Sequence, residues 1–251
     1  MSPKALHQHI ATLHKAFIGH VASLQANDPE ALHELRVGLR RLRTLLRPLS
    51  GKKSCQPLYD AATEVFHLSN PLRDLEVLLA DLDTHGETRA AAVRRRKLQK
   101  SLQVFTQSDE LAALGTVWEQ WPETVTIKKL PGKRCLKKCF RQAITGQQKY
   151  LLRYLPKADA DLHQLRIHIK HLRYFLEAYE AGRKSRVVLL ERLCAAQNTL
   201  GEWHDVTCHL ACAATENDLA ASCTRWQFEQ ATTEEQLPAL LKAVRKALAT
   251  R

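Results

Sequence analysis

The sequence repeats itself at long range, and this constrains the fold more than any other feature. Leu32-His33-Glu34-Leu35-Arg36 opens a stretch that runs to Leu46, and Leu162-His163-Gln164-Leu165-Arg166 opens its counterpart, running to Leu176, 130 positions later. Identity or close similarity holds at most positions between the two. Leu72-Arg73-Asp74-Leu75 matches Trp203-His204-Asp205-Val206 more weakly, at a shift of 131. A spacing kept over about 40 residues describes a duplicated multi-helix unit rather than a short recurring peptide. The 251 residues therefore read as one domain, 1–251, with a first half of about 1–125 and a second of about 126–251.

Both copies point to helices. With 9 Gly and 9 Pro among abundant Leu, Ala, Arg, Lys, Gln and Glu, the chain lacks the turn residues that an all-β fold needs, so the predicted class is all-α. Residues 4–25 place Leu6, Ile10, Leu13, Phe17 and Leu24 on one face. Asn27-Asp28-Pro29 predicts a turn with Asp28 as N-cap and Pro29 as the first helical residue, ahead of a helix through Leu46 that stops at Pro48. Further helices are expected over 57–68, from Asn70-Pro71 toward Gly86, and on to about Phe105. The stretch from Thr116 to Gly132 holds two Trp, two Pro and a β-like Thr-Val-Thr-Ile run, and is read as the joint between halves. The second half predicts helices near 133–155, 160–180, 185–200 and 203–215, then a last one carrying Leu237, Leu241, Val244 and Leu248. Gly182 and Gly201 stand where helix ends are expected.

The chemistry lies on the two matching helices. In the first, Leu32, Leu35, Leu39, Leu42, Leu46 and Leu49 form the stripe that a helix turns toward a core. Beside it run His33, Arg36, Arg40, Arg43 and Arg47, on one flank over about 21 Å at 1.5 Å per residue. Like charges four apart repel on an isolated helix, so this row calls for an external anion. The second copy repeats it as His163, Arg166, Lys170 and Arg173, with His168 and His171 nearby. Arginine forks suit bidentate bonds to phosphate oxygens, whereas lysine offers a mobile point charge. A basic row beside an apolar stripe is usually only a solvated face. Its return in the second copy argues for use, although common ancestry accounts for part of the match.

These stretches, Leu-His-x-Leu-Arg-x5-Leu-Arg and Leu-His-x-Leu-Arg-x4-His-Leu-Arg-Tyr-x-Leu-Glu, together with Leu72-Arg73-Asp74 and Gly201-Glu202-Trp203-His204-Asp205, resemble the signature of the CHAD family over nearly the whole chain. The resemblance implies two four-helix-bundle halves related by a pseudo-twofold axis, with a basic central groove or cavity. It also implies binding of inorganic polyphosphate and, for some members, residence at polyphosphate granules. Carried over by position, the phosphate contacts are His33, Arg36, Arg40, Arg43, His163, Arg166, Lys170 and Arg173. The sequence departs from an even duplication where Arg73-Asp74 becomes His204-Asp205, and where Thr44 faces Tyr174 in the other copy.

Charge agrees with a polyanionic partner without the resemblance. There are 38 Lys and Arg against 26 Asp and Glu, a formal +12, and from Thr124 to Ala158 ten basic residues occur with no acid. Lys137, Lys138 and Arg141 in that run are candidate additional contacts, and Arg89, Arg94, Arg95, Arg96, Lys97 and Lys100 form a second acid-free cluster. Nucleic acid is the first rival partner, expected here only as a non-specific competitor because aromatics are 6% and no reading motif or stacking platform stands out. The second rival is a metal-dependent phosphohydrolase using His204-Asp205 with His163, His168, His171 and Asp218, but a repeat position already explains the dipeptide. No cofactor is expected, and the chain reads as a binder rather than an enzyme. Seven cysteines without secreted-type spacing, and no apolar span or signal region, predict a cytoplasmic protein with no membrane partner. Cys135/Cys139 and the row His204, Cys208, Cys212 have helical metal-ligand spacing, yet read first as small buried hydrophobes.

Replacing Arg36 and Arg166 together with Ala is expected to weaken polyphosphate binding by about tenfold or more. The measurement is a polyphosphate gel shift, with circular dichroism to show that the helices persist.

Overall fold

The computed structural model describes residues 1–26, 28–155, 157, 160–179 and 186–249. Asn27 in the expected turn and Gly182 at an expected helix end lie outside the described residues. Among those described the chain is all-α, with no strand and no helix long and apolar enough to cross a membrane.

Helix α1, Pro3–Gln25, begins where the Ser2 Oγ accepts the Ala5 N–H at 3.1 Å and Pro3 sits in the first turn, where its missing N–H costs nothing. All five residues of its expected apolar face are buried. Helix α2, Ala31–Leu46, starts two residues later than Pro29. The Asp28 carboxylate accepts the Glu30 N–H at 3.0 Å, closing a local turn instead of capping the helix. All six leucines of the α2 stripe are buried, Leu49 from a 3-10 turn at Arg47–Leu49. Each such side chain removed from water contributes roughly 1.5–3 kcal/mol.

Helix α3, Gln56–Leu68, and α4, Asn70–Thr84, are separated by Ser69 alone. α4 pairs with α5, Thr88–Thr106, and Arg95 of α5 holds both oxygens of Asp83 at 2.8 and 2.7 Å. Arg94, from the second acid-free cluster, is 1% exposed.

The expected joint is largely a helix. α6, Asp109–Thr124, is capped by Ser108, whose Oγ accepts the Leu111 N–H at 3.3 Å, and Asp109 and Glu110 favour its positive N-terminal end. Trp118 and Trp121 face the core from it, Trp118 against Phe17 at 5.1 Å between ring centroids. The β-like run ends that helix and enters a 3-10 turn at Ile127–Lys129, because burying two indoles on one helical face outweighs a four-residue strand preference.

Helix α7 spans Lys133–Tyr154 and α8 Leu162–Tyr179, the latter capped by Asp161, which accepts the His163 and Gln164 N–H groups at 2.8 and 3.2 Å. The two helices expected at 185–200 and 203–215 are one, α9, Val187–Ala213. Gly201 continues it rather than ending it, with no positive φ. Helix α10, Cys223–Ala249, packs along α9.

The chain forms two compact units, Met1–Arg141 and Gln142–Arg251. In the first, α1, α2, α3 and α6 pack as a four-helix bundle with the α4–α5 pair attached through α1 and α3. In the second, the end of α7 joins α8, α9 and α10 around Ile144, Leu151, Ile169, Leu172, Leu193 and Val244.

Gly201 lies inside a helix, and a Cβ there meets nothing within 4 Å. Gly201→Ala is expected to stabilise the protein by about 0.5–1 kcal/mol. A rise in thermal midpoint measures it.

Candidate anion-binding site

The leucine stripe of α2 fixes where its cations emerge. His33, Arg36, Arg40 and Arg43 are all half-buried beside it, and so is Arg47 in the following turn. Arg36 points at the junction of α3 and α4. Its guanidinium donates to the Phe66 carbonyl at 3.2 Å, to the Ser69 hydroxyl, and to the Asn70 side-chain oxygen at 3.0 Å. The Ser69 hydroxyl in turn donates to the Phe66 carbonyl at 2.9 Å. Arg43 donates from Nε to the Thr63 hydroxyl at 3.1 Å. Both guanidiniums lie over the ring of Phe66, at 4.5 Å for Arg36 and 4.3 Å for Arg43, each a cation–π contact of about 0.5–2 kcal/mol.

Burial pulls Arg36 down to about 10, with Asp74 and Glu76 opposing and Arg40 and Arg73 assisting, so it remains charged at neutral pH. Burial lowers Arg43 as well. Glu76 is raised by burial, against the hydrogen bond and charge of Arg73 at 3.2 Å and the charges of Arg36 and His33. His67, on the same side, is lowered by burial and then by Arg43 and Arg36, which keeps it neutral. The first row is thus a knot of cations around one aromatic ring and two acids, Asp74 and Glu76.

The second row is built differently. His163 and His204 lie with ring centroids 5.5 Å apart. Burial, then the charges of Arg166, His163 and Lys170, drive His204 down to about 4. Arg166 makes no hydrogen bond or ion pair to the described residues. Arg173 turns away to Glu177, at 2.7 Å, and lies over Tyr174 at 5.6 Å. Burial lowers its pKa, but Glu177 outweighs this and leaves the guanidinium above its usual value.

The other candidates disperse. His168 stacks on Tyr150 at 3.4 Å with its Nδ1 2.6 Å from the Gln147 oxygen, and His171 stacks on Phe175, so neither joins the Arg166 row. Lys137, Lys138 and Arg141 are exposed on the first half of α7, where Lys138 and Lys52 both act on Cys139. All seven cysteines are free thiols. The His204 Nε2 is 3.8 Å from the Cys208 Sγ, but among the described residues no three His, Cys, Asp or Glu side chains gather as a metal site.

Sequence reasoning missed Phe66, Ser69 and Glu76. Only the helix break between Leu68 and Pro71 hinted that something there needed a free carbonyl.

A model of the CHAD domain matches residues 5–214. The chain belongs to the CHAD domain family. Its structure is similar to the crystal structure of the CHAD domain from the plant Ricinus communis, with TM-score 0.73 and 25% identity over 100% of this chain and 92% of that one. PptA from Streptomyces chartreusis shares the fold, with TM-score 0.60 and 18% identity over 98% of each chain. No curated protein matches. Within this CHAD domain, the two histidine-led helices are α2 and α8, and they present unlike electrostatic settings.

His204 titrates near 4 when folded and near 6.5 when unfolded, so the stability it contributes is present above about pH 6.5 and lost as pH falls through 4. Allowing for solvent screening of this half-exposed ring, His204→Gln is expected to remove about 1–2 kcal/mol of acid sensitivity across that window. Thermal midpoints measured from pH 7 to pH 4 check it.

Proposed function

We propose that this CHAD domain binds inorganic polyphosphate through its basic rows and does not chemically alter it. The observation that supports the reading most directly is the second row, where the charges acting on His204, from Arg166, His163 and Lys170, all push its proton off. An anion there reverses that push. Such a site gains from phosphate, and phosphate binding draws protons onto His204, so affinity rises as pH falls from 7 toward 5. Lys170 and Arg40 supplement the row in each copy, and Lys137, Lys138 and Arg141 offer further exposed charge along a polymer. Arg36 and Arg43 contribute positive potential while their forks hold α3, so their loss weakens folding as well as binding.

A phosphate polymer presents closely spaced charge and no bases to read. Binding releases condensed counterions, and specificity comes from charge spacing. Membership of the CHAD family, an aromatic content of 6% and the lack of a stacking platform support this reading over a nucleic-acid partner. Granule residence and a cytoplasmic setting are parts of the same proposal.

The test is a titration against polyphosphates of several lengths at two salt concentrations, with tRNA as competitor. Arg166→Gln combined with Lys170→Gln is expected to weaken binding about tenfold and to flatten the log–log salt slope by about two. Displacement by tRNA at equal phosphate concentration favours the nucleic-acid rival. Phosphate release on adding Mn or Mg favours the phosphohydrolase rival.

A further inference from the structure

A cavity of about 900 Å³ opens in the first unit, and no residue of the α2 row lines it. Its walls come from the turn before α3, from α6, from the segment that follows α6, and from the start of α7. One wall is apolar, formed by Val117, Trp121, Val125 and Leu130. Trp121 is fixed there, since its Nε1–H donates to the Ser54 carbonyl at 3.3 Å and its ring packs on His7 at 5.1 Å. The ring is thus held rigidly and only its edge, 3% of the residue's surface, reaches the cavity. The rim carries Lys52, Lys53 and Lys129, and among the described residues no Asp or Glu lines the cavity. The volume lies within the roughly 300–1,000 Å³ of small-molecule sites.

An apolar aromatic wall wastes itself on a phosphate polymer, and three ammonium groups waste themselves on a neutral hydrocarbon. The geometry points to a second binding site in this cavity, for a small amphiphilic anion whose alkyl or aryl body lies against Val117 and the exposed edge of Trp121 and whose carboxylate, sulfonate or phosphate head meets Lys52, Lys53 and Lys129. None of its lining residues belongs to either basic row. Flexible lysine stems suit it, because each can lie along the apolar body while its ammonium reaches the head group. Cys135 also lines the cavity and is a free thiol, which provides an internal reporter of occupancy.

The probe is 1-anilinonaphthalene-8-sulfonate, titrated into the full chain by fluorescence, with uncharged N-phenyl-1-naphthylamine beside it. Saturable binding is expected, weakened about tenfold by Val117→Trp, which fills the cavity, and by Lys52→Gln with Lys53→Gln, which removes rim charge. The bound sulfonate is expected to slow alkylation of Cys135 by N-ethylmaleimide while leaving Cys223 unchanged, and excess polyphosphate is expected not to displace it. Unchanged affinity in both variants overturns the proposal, as does equally tight binding of the uncharged naphthylamine. Phe228 is 74% exposed and offers the dye another surface; fluorescence without protection of Cys135 assigns the dye to such a surface and also overturns it. If Val117→Trp fails to fold, the lysine pair and the Cys135 readout still decide.

Discussion

Cations at the margin of a leucine core are the constraint from which the rest follows. Helix α2 buries Leu32, Leu35, Leu39 and Leu42 almost completely, and this drags Arg36 and Arg43 out of bulk water because they share the helix with those leucines. A half-desolvated guanidinium needs partners with lone pairs or π density. Phe66 supplies a face to both arginines, and its carbonyl is released toward Arg36 where α3 gives way to α4. The break at Ser69 is therefore part of how the charge is held, since a carbonyl inside a continuous helix is already occupied by its own ladder.

The second copy shows what happens without that break. At a shift of 131, Ser69 and Asn70 correspond to Leu200 and Gly201, which lie within the continuous helix α9. Backbone acceptors at that point are consumed within the helix, and Leu200 offers neither hydroxyl nor amide. Arg166 keeps its donors, and its field falls instead on His204, which stands where the first copy has Arg73. The row on α2 is thus a structural clasp in its unit, while the row on α8 is an electrostatically loaded surface in the other.

Much of this was legible in the sequence and some was not, for identifiable reasons. The apolar faces of α1 and α2 were legible because steps of three and four over several turns admit one reading. The all-α class was legible in the scarcity of Gly and Pro among strong helix formers. Helix α6 was obscured because Trp, Pro and β-branched residues at its end carry strand and turn preferences, whereas its existence rests on two buried indoles that only tertiary contact explains. Gly201 misled because glycine marks helix ends by its freedom at positive φ, a freedom this position does not use. The engagement of Arg36 lay beyond reach, since nothing in the spacing of α2 tells whether an arginine faces water or a carbonyl on another helix.

The clasp at Phe66 also divides the two rows by what selection can see. A change at Arg36 or Arg43 removes contacts that hold α2 to α3, so such variants are filtered by folding before any ligand is involved. A change at Arg166 removes no hydrogen bond to the described residues of its unit, so it is filtered mainly by what the surface binds. Lineages descending from this chain are therefore free to retune partner preference through the second copy while the first is held in place by its own architecture.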